Sequence, residues 1–204
     1  MTLSEFDNEI RKDHNVVCGC DEAGRGPLAG DVFAAAVVFD KDTVIEGIND
    51  SKKLTAKKRE ELFDEIMEKA VDFSIQTATV EEIEDINILN AAMLAMKRAV
   101  EDMDTKPDVC LIDGNKTPEG LECPAIAVVK GDAKSQAVAA ASILAKVARD
   151  RYMEQMAELY PEYRFEKHKG YGTKLHYQMI DQYGQCGIHR MSFLKKYYAK
   201  KNGH

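Results

Sequence analysis

No uninterrupted apolar run in this chain is long enough to cross a bilayer as a helix. No repeat, low-complexity segment or long linker divides the 204 residues, so one domain with a modest C-terminal addition is the expected organisation. The five cysteines are odd in number and form no C-x-x-C pair, which argues against a structural zinc site. Cys18, Cys20 and Cys110 fall in apolar runs and read as buried free thiols, which suits a reducing compartment. The N-terminal residues 1–14 are polar and acidic, unlike a signal peptide, so a cytoplasmic location is the default expectation.

Net positive charge is also missing. The formal balance is −7, which at first argues against a polyanionic partner. The distribution reverses that reading. From Arg164 to His204 there are nine Lys or Arg and only two acids, Glu166 and Asp181, leaving 19 basic against 33 acidic residues upstream. Local sign governs approach to a polyanion more than the global sum does.

What is present is concentrated in Val16–Gly30, VVCGCDEAGRGPLAG. An apolar strand-like run meets two adjacent acids, Asp21 and Glu22, and Gly24-Arg25-Gly26 follows. Acids beside a buried strand are costly unless a positive group pairs with them. Glycines around an arginine let main chain approach a ligand closely. Together these residues suggest metal-assisted chemistry on a phosphate ester. Asp113 closes a second apolar run, and Asp132 lies in KGDAKS just before an alanine-rich helix. Acids at strand ends and helix starts converge on one edge of an α/β sheet.

Periodicity places strands at 16–21, 32–39, 73–80, 109–112 and 126–129. It places helices at 55–70, capped by Thr55, at 86–103 after a short helix capped by Thr79, and at 133–160, ended by Pro161. Two further helices are expected at 173–182 and 192–201. The pattern is α/β, with a central mixed sheet of about five strands.

The chain resembles the type 2 ribonuclease H (ribonuclease HII) family. The motifs that carry this are CDEAGRGPLAG at 20–30, INDSKKL at 48–54, INILNA at 86–91, IDGN at 112–115 and VVKGDAKS at 128–135. AAASILAKVARDR at 139–151, YPEY at 160–163, HKGYGT at 168–173 and IHRMSF at 188–193 continue the series in family order. The resemblance implies a ribonuclease H-like catalytic domain at 1–160 and a small helical substrate-binding extension at 161–204, in one compact unit. It implies an endoribonuclease that hydrolyses RNA in RNA–DNA hybrids and cleaves 5′ to ribonucleotides embedded in duplex DNA. A metal-activated water would leave a 3′-hydroxyl and a 5′-phosphate.

Site residues follow from the same motifs. Asp21, Glu22, Asp113 and Asp132 would be catalytic and would hold Mn²⁺ or Mg²⁺, two ions with substrate, with Asp21 shared. Strand alternation aims Asp21 and Glu22 at opposite faces, so the turn at Gly24 is expected to reorient one of them. Gly24, Arg25 and Gly26 would read the ribose 2′-hydroxyl, with Tyr171 stacked beside them. Asn49, Ser51, Lys52, Lys134 and Ser135 would contact phosphate. His168, Lys169 and Arg190 belong to matching motifs and serve substrate contact or local structure. The implied partners are RNA–DNA hybrids and ribonucleotide-containing duplexes, met by a monomer, with no membrane and no evident sliding-clamp motif.

Each acid also has a plainer reading: Asp113-Gly114 is a good turn pair and Asp132 a plausible helix cap. Two departures from the family stand out. Cys20 replaces an aliphatic residue, a small exchange. Gly187 stands where proline is common and is expected to loosen the C-terminal region. Two rival functions use similar residues. A junction resolvase would share the carboxylates but need no 2′-hydroxyl reader. A non-catalytic nucleic-acid-binding module would gain nothing from four acids beside a phosphate backbone.

Overall fold

The computed structural model describes residues 1–49, 51 and 54–201. Lys52, expected at the phosphate, lies outside the described residues. The elements in chain order are α1 (Leu3–Ile10), β1 (Val17–Ala23), β2 (Val32–Val38), α2 (Ala56–Lys69), β3 (Asp72–Ala78), α3 (Val80–Glu101), β4 (Val109–Asp113) and β5 (Ala125–Val128). Then come α4 (Gln136–Leu159), α5 (Phe165–His168), α6 (Lys174–Tyr183) and α7 (Met191–Lys201).

The five strands form one sheet in the order β3-β2-β1-β4-β5. The first three strands form an antiparallel meander, while β4 and β5 add in parallel. β1 is therefore central. Its even-numbered side chains, Cys18 and Cys20, join Ala34 and Ala36 of β2 in a core under α3. On the other face, Ala35 and Val37 pack with α2 and the alanine-rich α4. Leu62 and Ile66 of α2 are fully buried there, and each such side chain contributes roughly 1.5–3 kcal/mol of burial free energy.

α4 crosses β1 without a spacer. A Cβ at Gly19 would lie 2.2 Å from the Ala137 carbonyl carbon. The small residues of α4 thus bring a helix start against the strand that carries the acid pair. α4 is capped by Ser135, whose hydroxyl accepts from the Val138 amide at 3.2 Å. The helix begins three residues later than the sequence pattern suggests, because residues 131–133 form a 3-10 turn. Asp132 belongs to that turn and does not cap the helix.

Two features depart from the sequence pattern. α1 is not among the helices expected from the sequence, although Thr2 and Glu5 form a reciprocal capping box at its start and Leu3, Phe6 and Ile10 stand at helical spacing. Its Asp7 is buried and accepts from the Ala137 amide at 2.9 Å, pinning the first helix to the start of α4. The short helix and the longer one after Thr79 run together as α3, interrupted at Asn87 by a left-handed φ of 67°. The Asn87 side chain accepts from the Leu89 and Asn90 amides and so caps the second half of α3.

The C-terminal helices pack back onto the body. Tyr163 and Phe165 are buried with Ala29 and Met153, and Leu194 of α7 is buried with Leu28 and Ile180.

Candidate active site

A cavity of about 510 Å³ opens at the end of β1. Its wall includes Asp21, Glu22, Gly24, Arg25, Gly26 and Ser51, with Ile88 of α3, Ser142 and Lys146 of α4, Tyr171 and Phe193. Residues from both faces of the sheet line it. This removes the need for the expected reorientation at Gly24: β1 stays paired through Ala23, opposite Phe33, and the cavity takes Asp21 from one face and Glu22 from the other.

Asp113 ends β4 beside this acid pair. The parallel register matches Cys20 to Ile112, so Asp21 and Asp113 are the next residues on neighbouring strands. Asp21 is 6% exposed and accepts a 2.7 Å hydrogen bond from the Glu22 amide. Burial, then the Glu22 and Asp113 carboxylates, push its pKa well above the ordinary aspartate range. A hydrogen bond from Ser142 opposes the shift. Asp113 accepts from the Gly131 amide at 2.7 Å, which draws the 131–133 turn, and with it Asp132, toward the strand ends. Asp113 and Asp132 are not among the residues that line the cavity.

Among the described residues, no three His, Cys, Asp or Glu side chains stand ready to hold a metal ion. Protein donors engage their oxygens: Arg25 donates to Glu22 at 3.2 Å, and main-chain amides engage Asp21 and Asp113. The donor set nevertheless fits a hard divalent cation. It is all carboxylate, and the mutual repulsion at Asp21 is the strain that a cation relieves.

The glycine segment faces an aromatic ring. A Cβ at Gly26 would meet only Tyr171, at 3.7 Å from its ring. Tyr171 is 43% exposed, and the Arg149 guanidinium carbon lies 5.9 Å from its ring centre. Gly24 has φ 108°, and a Cβ there would lie 2.3 Å from Arg149 Nε. That position therefore needs glycine for both reasons.

The other expected contacts divide. Ser51 is buried at the cavity wall, bonded to the Ser142 hydroxyl at 2.9 Å. Asn49 and Lys134 are exposed and outside the cavity wall. Ser135 is fully buried as the α4 cap, which removes it from any substrate surface. His168 is buried; its Nε2 is 3.0 Å from the Tyr163 carbonyl and its Nδ1 accepts from the Gly170 amide, so it shapes the loop under Tyr171. Lys169 pairs with Glu154 at 2.8 Å, and its carbonyl accepts from Arg149. Arg190 is fully buried beneath the glycine segment.

Around Gly187 the chain is tied to the body by main-chain hydrogen bonds. The Cys186 amide donates to His189, the Gly30 amide to the Ile188 carbonyl, and the Arg190 amide to the Leu28 carbonyl. Sequence reasoning missed Ser142, Arg149, Ile88 and Phe193. Ser142, Lys146 and Arg149 recur at i, i+4 and i+7 along α4, a polar stripe that could have been read.

Known proteins resemble this chain in sequence and fold. The family model described as ribonuclease HII matches residues 18–196. A curated ribonuclease HII of Caldicellulosiruptor saccharolyticus is 54% identical over 189 residues, 93% of this chain and 92% of that protein. One from Idiomarina loihiensis is 58% identical over 178 residues, covering 87% of this chain and 95% of that protein. The crystal structure of the ribonuclease H2 from Pyrococcus horikoshii OT3 superposes with a TM-score of 0.75 at 29% identity, covering 92% of this chain and 98% of that one. By its sequence, its sheet and its neighbours, the chain belongs to the ribonuclease HII family, enzymes of the type 2 ribonuclease H kind.

Proposed function

We propose that the chain hydrolyses RNA in RNA–DNA hybrids and also cuts on the 5′ side of a single ribonucleotide in duplex DNA, leaving a 3′-hydroxyl and a 5′-phosphate. One observation carries this reading. A single cavity has the acid pair Asp21–Glu22 in its wall together with the Gly24–Gly26 main chain and the Tyr171 ring. A nuclease indifferent to sugar needs only the acids. A ribose-specific one also needs a surface that meets the 2′-hydroxyl.

Asp21, Glu22, Asp113 and Asp132 are the residues that would hold Mn²⁺ or Mg²⁺. A divalent cation there supplies charge stabilisation at the reacting phosphate and an acidified water, so no protein nucleophile is required. The chain's own residues do the rest. Arg25, half exposed beside Glu22, faces the incoming backbone. Lys146 and Ser51 place a cation and a hydroxyl on the same wall. Tyr171 presents its ring to the sugar or base next to the scissile link. The basic surface from Arg164 onward holds the flanking duplex. Action as a monomer is part of the same proposal. No helix among the described residues is long and apolar enough to cross a membrane, and the cytoplasm is the proposed location.

The test is cleavage of a DNA duplex containing one ribonucleotide, with and without Mn²⁺ or Mg²⁺. Metal-dependent cutting at that nucleotide is expected, with the all-DNA duplex left intact. Cutting of an all-DNA four-way junction would favour a resolvase. Binding without cutting under any metal would favour a non-catalytic module.

A further inference from the structure

Arg190 makes an unusual set of bonds for a buried charge. Its side chain is fully buried, and no carboxylate forms an ion pair with it among the described residues. Its hydrogen bonds all go to four main-chain carbonyls, with the Asp31 carboxylate near enough to favour the charge. Nε donates to Gly30 O at 2.9 Å, Nη1 to Pro27 O at 2.9 Å and Arg25 O at 3.3 Å, and Nη2 to Gly24 O at 2.7 Å and Gly30 O at 2.6 Å. A guanidinium has five N–H donors in a rigid fork, and these five bonds match them. All the acceptors lie in the segment 24–30.

The segment is thus wound around one side chain. Its ends are fastened as well: the Arg190 amide donates to Leu28 O and the Gly30 amide to Ile188 O, each at 2.8 Å. From there the ties pass to the other wall of the cavity. The Leu28 amide donates to Gly170 O at 2.8 Å. Arg149 bonds Ala29 O, Asp31 O and Lys169 O. The Phe193 ring, part of the cavity wall, lies 5.3 Å from the Arg190 guanidinium carbon. With every donor committed inward, the guanidinium has nothing left to offer a phosphate.

We propose that Arg190 is a positioning residue for ribose discrimination: it holds the Gly24–Gly30 main chain in the shape that meets the 2′-hydroxyl, without touching the substrate. This rests on the reading of Gly24–Gly26 as the ribose-sensing surface. Lysine keeps the charge but has three donors on a single nitrogen, so it cannot satisfy the four carbonyls together. The segment should then relax while the carboxylates stay in place.

The experiment uses the full chain with Arg190→Lys and Arg190→Gln. Binding is measured in EDTA to a one-ribonucleotide duplex and to its all-DNA match. Turnover on the one-ribonucleotide duplex and thermal melting are measured alongside. Both variants should melt cooperatively and hold the all-DNA duplex nearly as well as the parent. Their preference for the ribonucleotide duplex and their kcat should each fall about tenfold, the loss expected from one or two displaced hydrogen bonds. Weaker affinity for both duplexes with kcat intact would make Arg190 a phosphate contact and overturn the proposal. So would parental selectivity in both variants, or failure of both to fold. If the parent itself shows no preference for the ribonucleotide duplex, the ribose-sensing reading fails, whatever the variants do.

Discussion

Asp21 is held where a carboxylate resists ionisation, between burial and two neighbouring acids. Its raised pKa means the folded state prefers the proton, so the ionised group costs stability as pH rises toward neutrality. Asp21→Asn should therefore melt no lower than the parent in metal-free buffer while losing cleavage, a stability gain at the expense of function. The activity loss should reach several kcal/mol of transition-state stabilisation, and Asp113→Asn should behave likewise. Strong residual cleavage in both, with titrated metal, would contradict the assignment. Tyr171→Ala should cost roughly 1–3 kcal/mol, the worth of a stacked ring, and mainly at the embedded ribonucleotide; Tyr171→Phe should be milder. Parallel cleavage and binding on hybrid, single-ribonucleotide and all-DNA duplexes decides this, since equal losses on all three would make Tyr171 structural. A third residue-scale consequence lies in the buried pair His176 and His189, whose Nε2 atoms are 3.0 Å apart. Burial lowers each pKa to about 4. His168, stacked on His176 at 4.3 Å, is a smaller contributor to both shifts. The stability that comes from keeping them neutral is full above the usual 6.5 and drains away as pH falls toward 4. NMR titration of the imidazole C–H signals should show both rings neutral at pH 5.5; a normal midpoint near 6.5 for both would refute the buried pair.

At the scale of elements, the approach of α4 to β1 decides the site. Gly19→Ala would drive a Cβ into the backbone of α4, costing at least about 1–3 kcal/mol as overpacking and moving Ser142 off Asp21. Urea denaturation and cleavage should fall together, and an unchanged pair would show that α4 has slack there. Much of this architecture is legible from residue pattern. Leu62, Phe63 and Ile66 announce α2 by spacing, and the short Val-, Ile- and Cys-rich runs announce the buried strands. The acid positions are legible because Asp21, Glu22 and Asp113 all follow apolar runs. α1 is missed although Leu3, Phe6 and Ile10 stand at helical spacing, because it is only eight residues long and its purpose, pinning Asp7 to Ala137, is a contact across 130 positions. The role of Arg190 is equally hidden, because a motif arginine beside a phosphate site reads as a phosphate ligand until its burial is seen. Ser135 misleads for the same reason: only the structure shows its hydroxyl turned into the helix.

At the scale of the whole molecule, an acidic protein presents a basic end. α7 is docked through Leu194 and through Ser192, which bonds Glu84 of α3. Deleting α7 would therefore disturb the core, and charge substitution is the cleaner probe. Replacing the exposed Lys195, Lys196 and Lys200 with glutamine should weaken duplex binding and flatten its dependence on salt, by about 0.9 in the log–log slope for each phosphate that is no longer neutralised. A parental slope would show these lysines to be solvated surface only. The sheet order has a further consequence during synthesis. β3, β2 and β1 are complete by Ala78, while β4, which covers the other edge of β1, begins at Val109. For that interval a nascent chain carries the seven-residue β1 with an open edge, a template for mispairing between neighbouring polypeptides. Over the same interval Asp21 lacks Asp113, so the emerging chain cannot assemble its carboxylates, and nuclease activity is withheld until the second half of the protein has left the ribosome.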